Sequence, residues 1–362
     1  MNCIKTIKTK SIPHDVFIEM TKLYKQIGKG DYYEDLFSKT VDYYKQKTAE
    51  DNAKSFYQLF IPDFKHITAS RLASLTLDSS TANNRSEQLF KNIYQVFRKI
   101  HYDSYEPFKL EIVEVRELVG YLFKDVIELP RYRKFASKEN LLKSSSVSVR
   151  EIFEKYLEDI NKLSRDQVIE PFYLYINFMI DFINMKVYDF KYNDIIGTLL
   201  FYILMIENGL KVSYYVGFFP KLLMVKEDYF KLLHQSSFQW EEGLAEVVPL
   251  TKFMIKIYKR MYEDLNDLAR DIKFDKDLPI LKSDYIENII LKMPETFSKQ
   301  DIRKKHPLVS DSTINRTLKR LQEDNVIRSL GKGRSAKWVK IVDNKDEKGQ
   351  LKLHLGEDND NS

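Results

Sequence analysis

Apolar side chains recur at helical spacing along most of this chain. In residues 13–101, aliphatic and aromatic side chains return every three or four positions, as at Phe90, Ile93, Val96 and Phe97. Residues 171–263 are more apolar still, and the apolar stripe that begins at Phe172 is too wide for a solvated helix. The pattern predicts an N-terminal helical region over residues 1–110 and a larger helical core over residues 111–272.

A different pattern follows the core. Charged residues become more frequent in residues 273–283, and Pro279 interrupts the apolar periodicity. This indicates a linker. Apolar residues then return at helical spacing over 285–291 and predict a helix. Ser298, with Asp301 three residues later, is an N-cap pattern that predicts a short second helix.

A third helix and two short strands complete this C-terminal segment. Ser310 is an N-cap residue, and a helix that begins there has one apolar face formed by Ile314, Leu318 and Leu321. Residues 326–330 and 336–341 predict two strands joined by a glycine-containing turn. This order of elements is typical of a winged helix-turn-helix, which we predict over residues 284–342.

The exposed side of the third helix carries side chains suited to DNA. At about 100° per residue, its polar and cationic residues point away from the apolar face, offering donors to base edges and positive charge to phosphates. Cations on the turn between the strands extend the same surface. The predicted contacts with double-stranded DNA are Ser312, Thr313, Asn315, Arg316, Lys319, Arg320, Lys332, Arg334 and Lys337. A solvated basic face on a dimerisation domain is the alternative, because winged helices also mediate protein contacts.

The charge of the chain is unevenly distributed. The net charge is only +5, but residues 284–341 hold 13 Lys and Arg against 7 Asp and Glu. Residues 342–362 hold 3 Lys against 6 Asp and Glu. The positive excess therefore lies in the predicted DNA-binding domain, and the polar tail over 343–362 is predicted to be disordered.

Composition excludes several classes of protein. The only cysteine, Cys3, rules out an internal disulfide, and the six histidines lack metal-ligand spacing, so we predict no metal site. Lysines interrupt the first ten residues, which does not fit an export signal. The longest uncharged apolar run, residues 195–206, spans 12 residues against the roughly 20 that cross a bilayer. We expect a cytoplasmic protein with no membrane partner and a buried helix at 195–206.

Residues 149–265 resemble the Fic family, whose members transfer AMP or related groups to hydroxyls of target proteins. The apolar helix at 171–186 and the segment 188–200 carry the resemblance, with residues 227–234, the turn from Trp240 to Gly243, and a long closing helix over 250–264. Many members of the family also end in a winged helix. The resemblance implies a mainly α protein with a Fic-like helical core, an N-terminal helical region and a small α+β winged helix at the C-terminus.

The active loop of the family has the form H-P-F-x-(D/E)-G-N-G-(K/R)-x-x-R, and this sequence departs from it. Only Phe190 stands clearly in place, and a one-residue deletion is needed before Ile196 and Gly197. Tyr188 stands at the histidine that accepts the hydroxyl proton, and Tyr192 at the acidic metal ligand. Asn193 replaces the first phosphate glycine, Asp194 falls at the asparagine or second glycine, and Ile195 and Thr198 replace the basic residues.

Losing the base, the metal ligand and the phosphate-binding cations together predicts that AMP transfer by the usual mechanism is lost. Tyr188, Phe190 and Tyr192 are then packing aromatics in a loop that kept its shape. We therefore expect a DNA-binding regulatory protein without a cofactor, whose Fic-like body serves as a platform for sensing or for forming a homodimer. The alternative is a divergent protein adenylyltransferase that uses ATP and Mg²⁺ through residues outside the family pattern.

Overall fold

The computed structural model describes residues 2–7, 12–60, 65–77, 79–102, 107–134, 149–277, 282–291, 293–305, 309–331 and 336–341. The chain forms two compact units that divide between Asp271 and Ile272. The first unit is helical and the second is a small α+β unit. The predicted fold class, mainly α with a small α+β region at the C-terminus, is confirmed.

The first unit is built from thirteen α-helices in its described residues, together with a 3-10 helix at Lys211–Tyr214. The first six are α1 (Asn2–Ile7), α2 (His14–Ile27), α3 (Gly30–Phe37), α4 (Val41–Phe60), α5 (Ala69–Leu75) and α6 (Arg85–Tyr102). The next seven are α7 (Ile112–Phe123), α8 (Val149–Arg165), α9 (Pro171–Met185), α10 (Asn193–Glu207), α11 (Phe218–Leu223), α12 (Lys226–Ser237) and α13 (Val248–Asp277).

Helices α9 and α10 form the centre of this unit. Every residue from Ile195 to Ile206 is buried, which confirms the helix predicted from the uncharged run. The two helices approach closely at Gly197, where an added Cβ would lie 2.8 Å from Cγ1 of Ile183. Glycine is required there because side-chain volume at this position would separate the helices.

A buried carboxylate ties the N-terminal helix α1 to α9. Asp181 is fully buried and accepts hydrogen bonds from the backbone N–H groups of Cys3 at 2.9 Å and Ile4 at 3.2 Å. It also accepts from the Tyr156 hydroxyl at 2.8 Å and the Trp240 indole nitrogen at 2.6 Å. Four donors satisfy a charge that would otherwise be costly to bury.

The last helix of this unit is longer than the sequence pattern indicated. Helix α13 continues past residue 264 because Leu265 and Ala269 keep its apolar face buried. It ends at Asp277, beyond the division between the two units, so residues 273–277 of the predicted linker are helical. Residues 278–281 lie outside the described residues, and the next helix begins at Lys282.

The second unit contains three helices and three strands. These are α14 (Lys282–Leu291), β1 (Thr296–Ser298), α15 (Lys299–Lys305), α16 (Asp311–Glu323), β2 (Ile327–Ser329) and β3 (Lys337–Lys340). The sheet is antiparallel with the order β1-β3-β2, and Phe297 pairs with Trp338 while Arg328 pairs with Val339. Strand β1 was not predicted, because three residues are too short to show a period.

Local capping sets the helix starts of the second unit. The Ser298 hydroxyl and backbone N–H both donate to the Asp301 carboxylate, at 2.7 and 2.9 Å, and the Asp301 N–H reaches back to the Ser298 hydroxyl. These bonds lower the pKa of Asp301. Ser310 caps α16, as predicted, by accepting from the Thr313 N–H. A shared core holds the elements together: Ile286, Ile290, Met293, Phe297, Ile302, Ile314, Leu318, Leu321, Ile327 and Trp338.

Two further sequence predictions concern membrane-spanning helices and the C-terminal tail. In the part of the chain that the structure describes, no helix combines the length and apolarity needed to span a bilayer. The tail over residues 343–362, predicted to be disordered, lies outside the described residues.

Candidate functional site

The loop between α9 and α10, residues 186–192, contains the aromatic residues Tyr188, Phe190 and Tyr192. Helix α9 ends at Met185, and the next residue, Lys186, has a φ of 47° in the left-handed region, which turns the chain sharply. The backbone then runs antiparallel to residues 131–133. The Arg133 N–H donates to the Val187 carbonyl at 3.1 Å, and the Asp189 N–H donates to the Arg131 carbonyl at 2.8 Å. Backbone pairing thus fixes the loop immediately before and after Tyr188.

The side chain of Asn193 closes this loop from the first turn of α10. Its Oδ1 accepts from the Tyr188 N–H at 3.0 Å, and its Nδ2 donates to the carbonyls of Tyr188 and Phe190, each at 2.8 Å. Asn193 is buried, so these three bonds replace water for the loop backbone. The amide is fully engaged within the protein.

Aromatic rings fill the space around the loop. Tyr188 stacks on Tyr132 with ring centroids 5.1 Å apart, and the Arg116 guanidinium lies over both rings. Phe123 of α7 meets the other two loop aromatics: Phe190 edge-on at 5.4 Å and Tyr192 stacked at 5.6 Å. The loop aromatics therefore pack as a cluster, as the sequence indicated for Tyr188, Phe190 and Tyr192.

The position of Tyr188 does not suit proton transfer. Its side chain is 1% exposed, and its hydroxyl is buried. Burial raises the pKa of this phenol far above its ordinary value. Tyr188 therefore stays neutral at physiological pH, and its hydroxyl is a poor proton acceptor.

The first turn of α10 carries an acidic side chain and no basic one. Burial raises the pKa of Asp194, in the first turn of this helix. Thr198 donates to the Asp194 carbonyl at 2.8 Å, and its hydroxyl lies 2.7 Å from that of Tyr229. Ile195 and Thr198, which stand where the Fic family carries basic residues, are both buried. These residues do not fit ATP and Mg²⁺, and no cluster of metal-ligating side chains is found in the described ranges.

The predicted DNA contacts on α16 divide into exposed and buried positions. Ser312, Asn315, Arg316 and Lys319 are exposed and share the side of the helix that faces away from the core. Thr313 is only 9% exposed, and its hydroxyl lies 2.8 Å from that of Ser310. Thr313 belongs to the cap and the packed face, which corrects its assignment as a DNA contact.

Ion pairs distinguish the cations of this unit. The Arg320 guanidinium pairs with the Glu287 carboxylate of α14, so Arg320 is not a free cation as the sequence suggested. Arg303 of α15 pairs with Asp311, and Lys319 lies 3.7 Å from Glu323 in an exposed contact. Within the described part of the chain, Arg316 has no acidic partner.

The predicted wing is described only in part. Lys337 is exposed on β3, while Lys332 and Arg334 lie outside the described residues. Arg328, exposed on β2, was missed by the sequence reasoning although it alternates with the buried Ile327. Alternation along a three-residue strand is too short a signal to identify it.

Neither a protein-family model nor a curated protein matches this sequence. Solved structures do resemble it. A Fic family protein from Desulfovibrio desulfuricans G20 aligns over 93% of this chain and 98% of its own, with a TM-score of 0.52 and 12% identity. The chain has the Fic fold. A Fic domain-containing signaling protein from Bacteroides thetaiotaomicron VPI-5482 aligns over 70% of this chain and 98% of its own, with a TM-score of 0.52 and 14% identity.

Within this Fic fold, the α9–α10 loop is held by side chains that the motif does not include. Arg116 and Phe123 of α7 and Tyr132 all contact the loop aromatics. Sequence reasoning missed these three residues, because they precede the loop by more than fifty positions. An arginine placed over tyrosine rings contributes a cation–π contact rather than a free phosphate-binding charge.

Proposed function

We propose that this chain is a DNA-binding regulatory protein whose C-terminal α+β unit acts as a winged helix and whose Fic-fold unit no longer transfers AMP. The side chains on the exposed face of α16 support the proposal of DNA binding. The aromatic packing of the loop between α9 and α10 supports the loss of AMP transfer.

The case for DNA binding is the chemistry of α16. The helix is anchored by the buried side chains of Ile314, Leu318 and Leu321, and its opposite side exposes Ser312, Asn315, Arg316 and Lys319. Asparagine and arginine form paired hydrogen bonds with purine edges, and cations neutralise phosphates. A helix of 13 residues with one packed side and one polar, cationic side has the composition that a major groove accepts.

Binding of labelled duplex DNA, measured by fluorescence anisotropy at several salt concentrations, tests this part. Arg316→Ala is expected to weaken binding and to reduce the slope of log affinity against log salt by about 0.9, because one phosphate or base contact is lost. The matched control is Lys231→Ala, which removes one exposed charge from α12 in the other unit. Absence of duplex binding at low salt, or equal effects of both variants, would contradict the proposal.

The case against AMP transfer rests on what the loop side chains already do. A buried, neutral Tyr188 cannot accept a proton readily, Asn193 is committed to the loop backbone, and the basic positions are aliphatic or hydroxyl residues. The Fic family lowers the barrier to AMP transfer with a base, a metal ion and phosphate-binding cations. This chain lacks the residue that each of these requires in the family pattern.

Incubation of the purified protein with labelled ATP and Mg²⁺ tests the second part. We expect no labelling of the protein itself. Self-labelling that disappears in Tyr188→Phe would instead support the divergent adenylyltransferase. Such an outcome would leave the DNA-binding proposal to be judged on the anisotropy measurement alone.

A further inference from the structure

Arg320 lies on the flank of α16 and not in the middle of its exposed side. Successive helical residues are about 100° apart, so Arg320 lies about 90° from the centre of the buried face, while Ser312 and Lys319 lie about 170° from it. The buried face is formed by Thr313, Ile314, Thr317, Leu318 and Leu321. Arg320 is therefore directed towards the element that packs beside α16, which is helix α14.

The neighbouring helix supplies an acid at this place. A hydrogen-bonded ion pair joins Nη2 of Arg320 to Oε2 of Glu287, and the two side chains are 40% and 34% exposed. A pair that is this open to water contributes little to stability. Its consequence is instead electrostatic, because one of the three cations of α16 is neutralised at the edge of the proposed DNA-binding face.

The flank of a groove-binding helix is where phosphates are found. A major groove about 12 Å wide is scarcely wider than a helix of 10–12 Å, so side chains on the flanks face the two backbones. A phosphate and a carboxylate compete for the same guanidinium N–H groups, and the carboxylate also repels the phosphate.

We propose that Glu287 withholds Arg320 from the DNA backbone and so limits the affinity of this unit for duplex DNA of any sequence. The binding face on α16 is then Ser312, Asn315, Arg316 and Lys319. This inference rests on the proposed DNA binding. It assigns Glu287 a positioning role that acts through Arg320.

Salt titrations of duplex binding with charge-neutral variants provide the test. Arg316→Gln should lower the salt slope by about 0.9, whereas Arg320→Gln should lower it by much less, because it removes no phosphate contact and only uncovers the Glu287 carboxylate. Glu287→Gln should tighten binding and steepen the slope by about 0.9, because Arg320 gains a phosphate contact. Its gain in affinity should therefore be about 3.5-fold smaller at 200 mM than at 50 mM salt. In the double variant Glu287→Gln/Arg320→Gln, this gain should disappear.

Three results would overturn the inference while leaving DNA binding intact. Arg320→Gln could lower the slope as much as Arg316→Gln does, Glu287→Gln could leave affinity unchanged, or its gain could persist without Arg320. The last would mean a general effect of charge. If the unaltered protein binds no duplex DNA, the proposed function fails and this inference fails with it. Thermal unfolding of each variant shows whether the second unit remains folded.

Discussion

A single amide closes the loop between α9 and α10. Asn193, which the sequence pattern places at the first phosphate glycine of the Fic active loop, bonds three backbone groups of the loop. The sequence predicts only that Asn193 replaces this glycine. It could not predict that the amide would close the loop, because those bonds depend on the turn at Lys186.

Two glycines in helices of the first unit give opposite predictions. Gly197→Ala should lower the free energy of unfolding by about 1–3 kcal/mol, because the new Cβ meets Ile183 at 2.8 Å and the helices must separate. Gly120→Ala should raise it by up to about 1 kcal/mol, since its nearest neighbour is Leu129 at 3.8 Å and alanine favours the helix. Urea unfolding of both variants makes the comparison. A loss of stability in both would indicate that packing at Gly197 is not the cause.

At the scale of elements, the features that the sequence predicted are local ones. The caps at Ser298 and Ser310 were predictable because each cap involves residues three positions apart. The pairing of Arg320 with Glu287 was not, because its partner is 33 residues away on another helix. The full length of α13 was missed because its last turns are highly charged, so the apolar period fades although the helix continues.

The N-cap of α16 should make a measurable contribution to the stability of the second unit. Ser310→Ala removes the acceptor of the Thr313 N–H and should destabilise the second unit by about 1 kcal/mol. Ser312→Ala is the matched control, because Ser312 is exposed and satisfies no backbone N–H of the helix in the described residues. Hydrogen exchange of the α16 amides should increase in Ser310→Ala and stay near the unaltered rate in Ser312→Ala. Equal exchange in both would show that the cap contributes nothing.

At the scale of the whole molecule, the first unit is held by buried polar centres that distant segments share. Asp181 of α9 bonds backbone groups 178 and 177 positions earlier, in α1. His101 of α6 is also fully buried, and it links α4 to α10. The composition of these helices predicted burial of their apolar faces. It did not predict which polar residues would join them, because a buried polar group is identified only by its partners.

His101 should make the first unit sensitive to acid. Nδ1 lies 3.0 Å from the Lys45 carbonyl, which can only accept, so Nδ1 carries the proton. Nε2 accepts from the Tyr202 hydroxyl at 2.9 Å, and that hydroxyl accepts from Asn52 at 3.1 Å. Protonating Nε2 would require the Tyr202 hydroxyl to turn its own proton away from the ring. Burial lowers the pKa of His101 to about 4, because a charged imidazolium is disfavoured away from water.

The direction of the pH dependence follows from this lowered pKa. The unfolded chain binds a proton at His101 below its ordinary pKa of about 6.5, whereas the folded chain does not until about pH 4. The contribution of His101 to the stability of the first unit should thus be fully present well above pH 6.5. It should fall by about 3 kcal/mol as the pH drops to 4. Urea unfolding across this range should show a shallower decline in His101→Gln, whatever its stability at neutral pH. His234→Gln, an exposed control on α12, should keep the full decline. If His101→Gln declines as steeply as the unaltered protein, the acid sensitivity arises elsewhere.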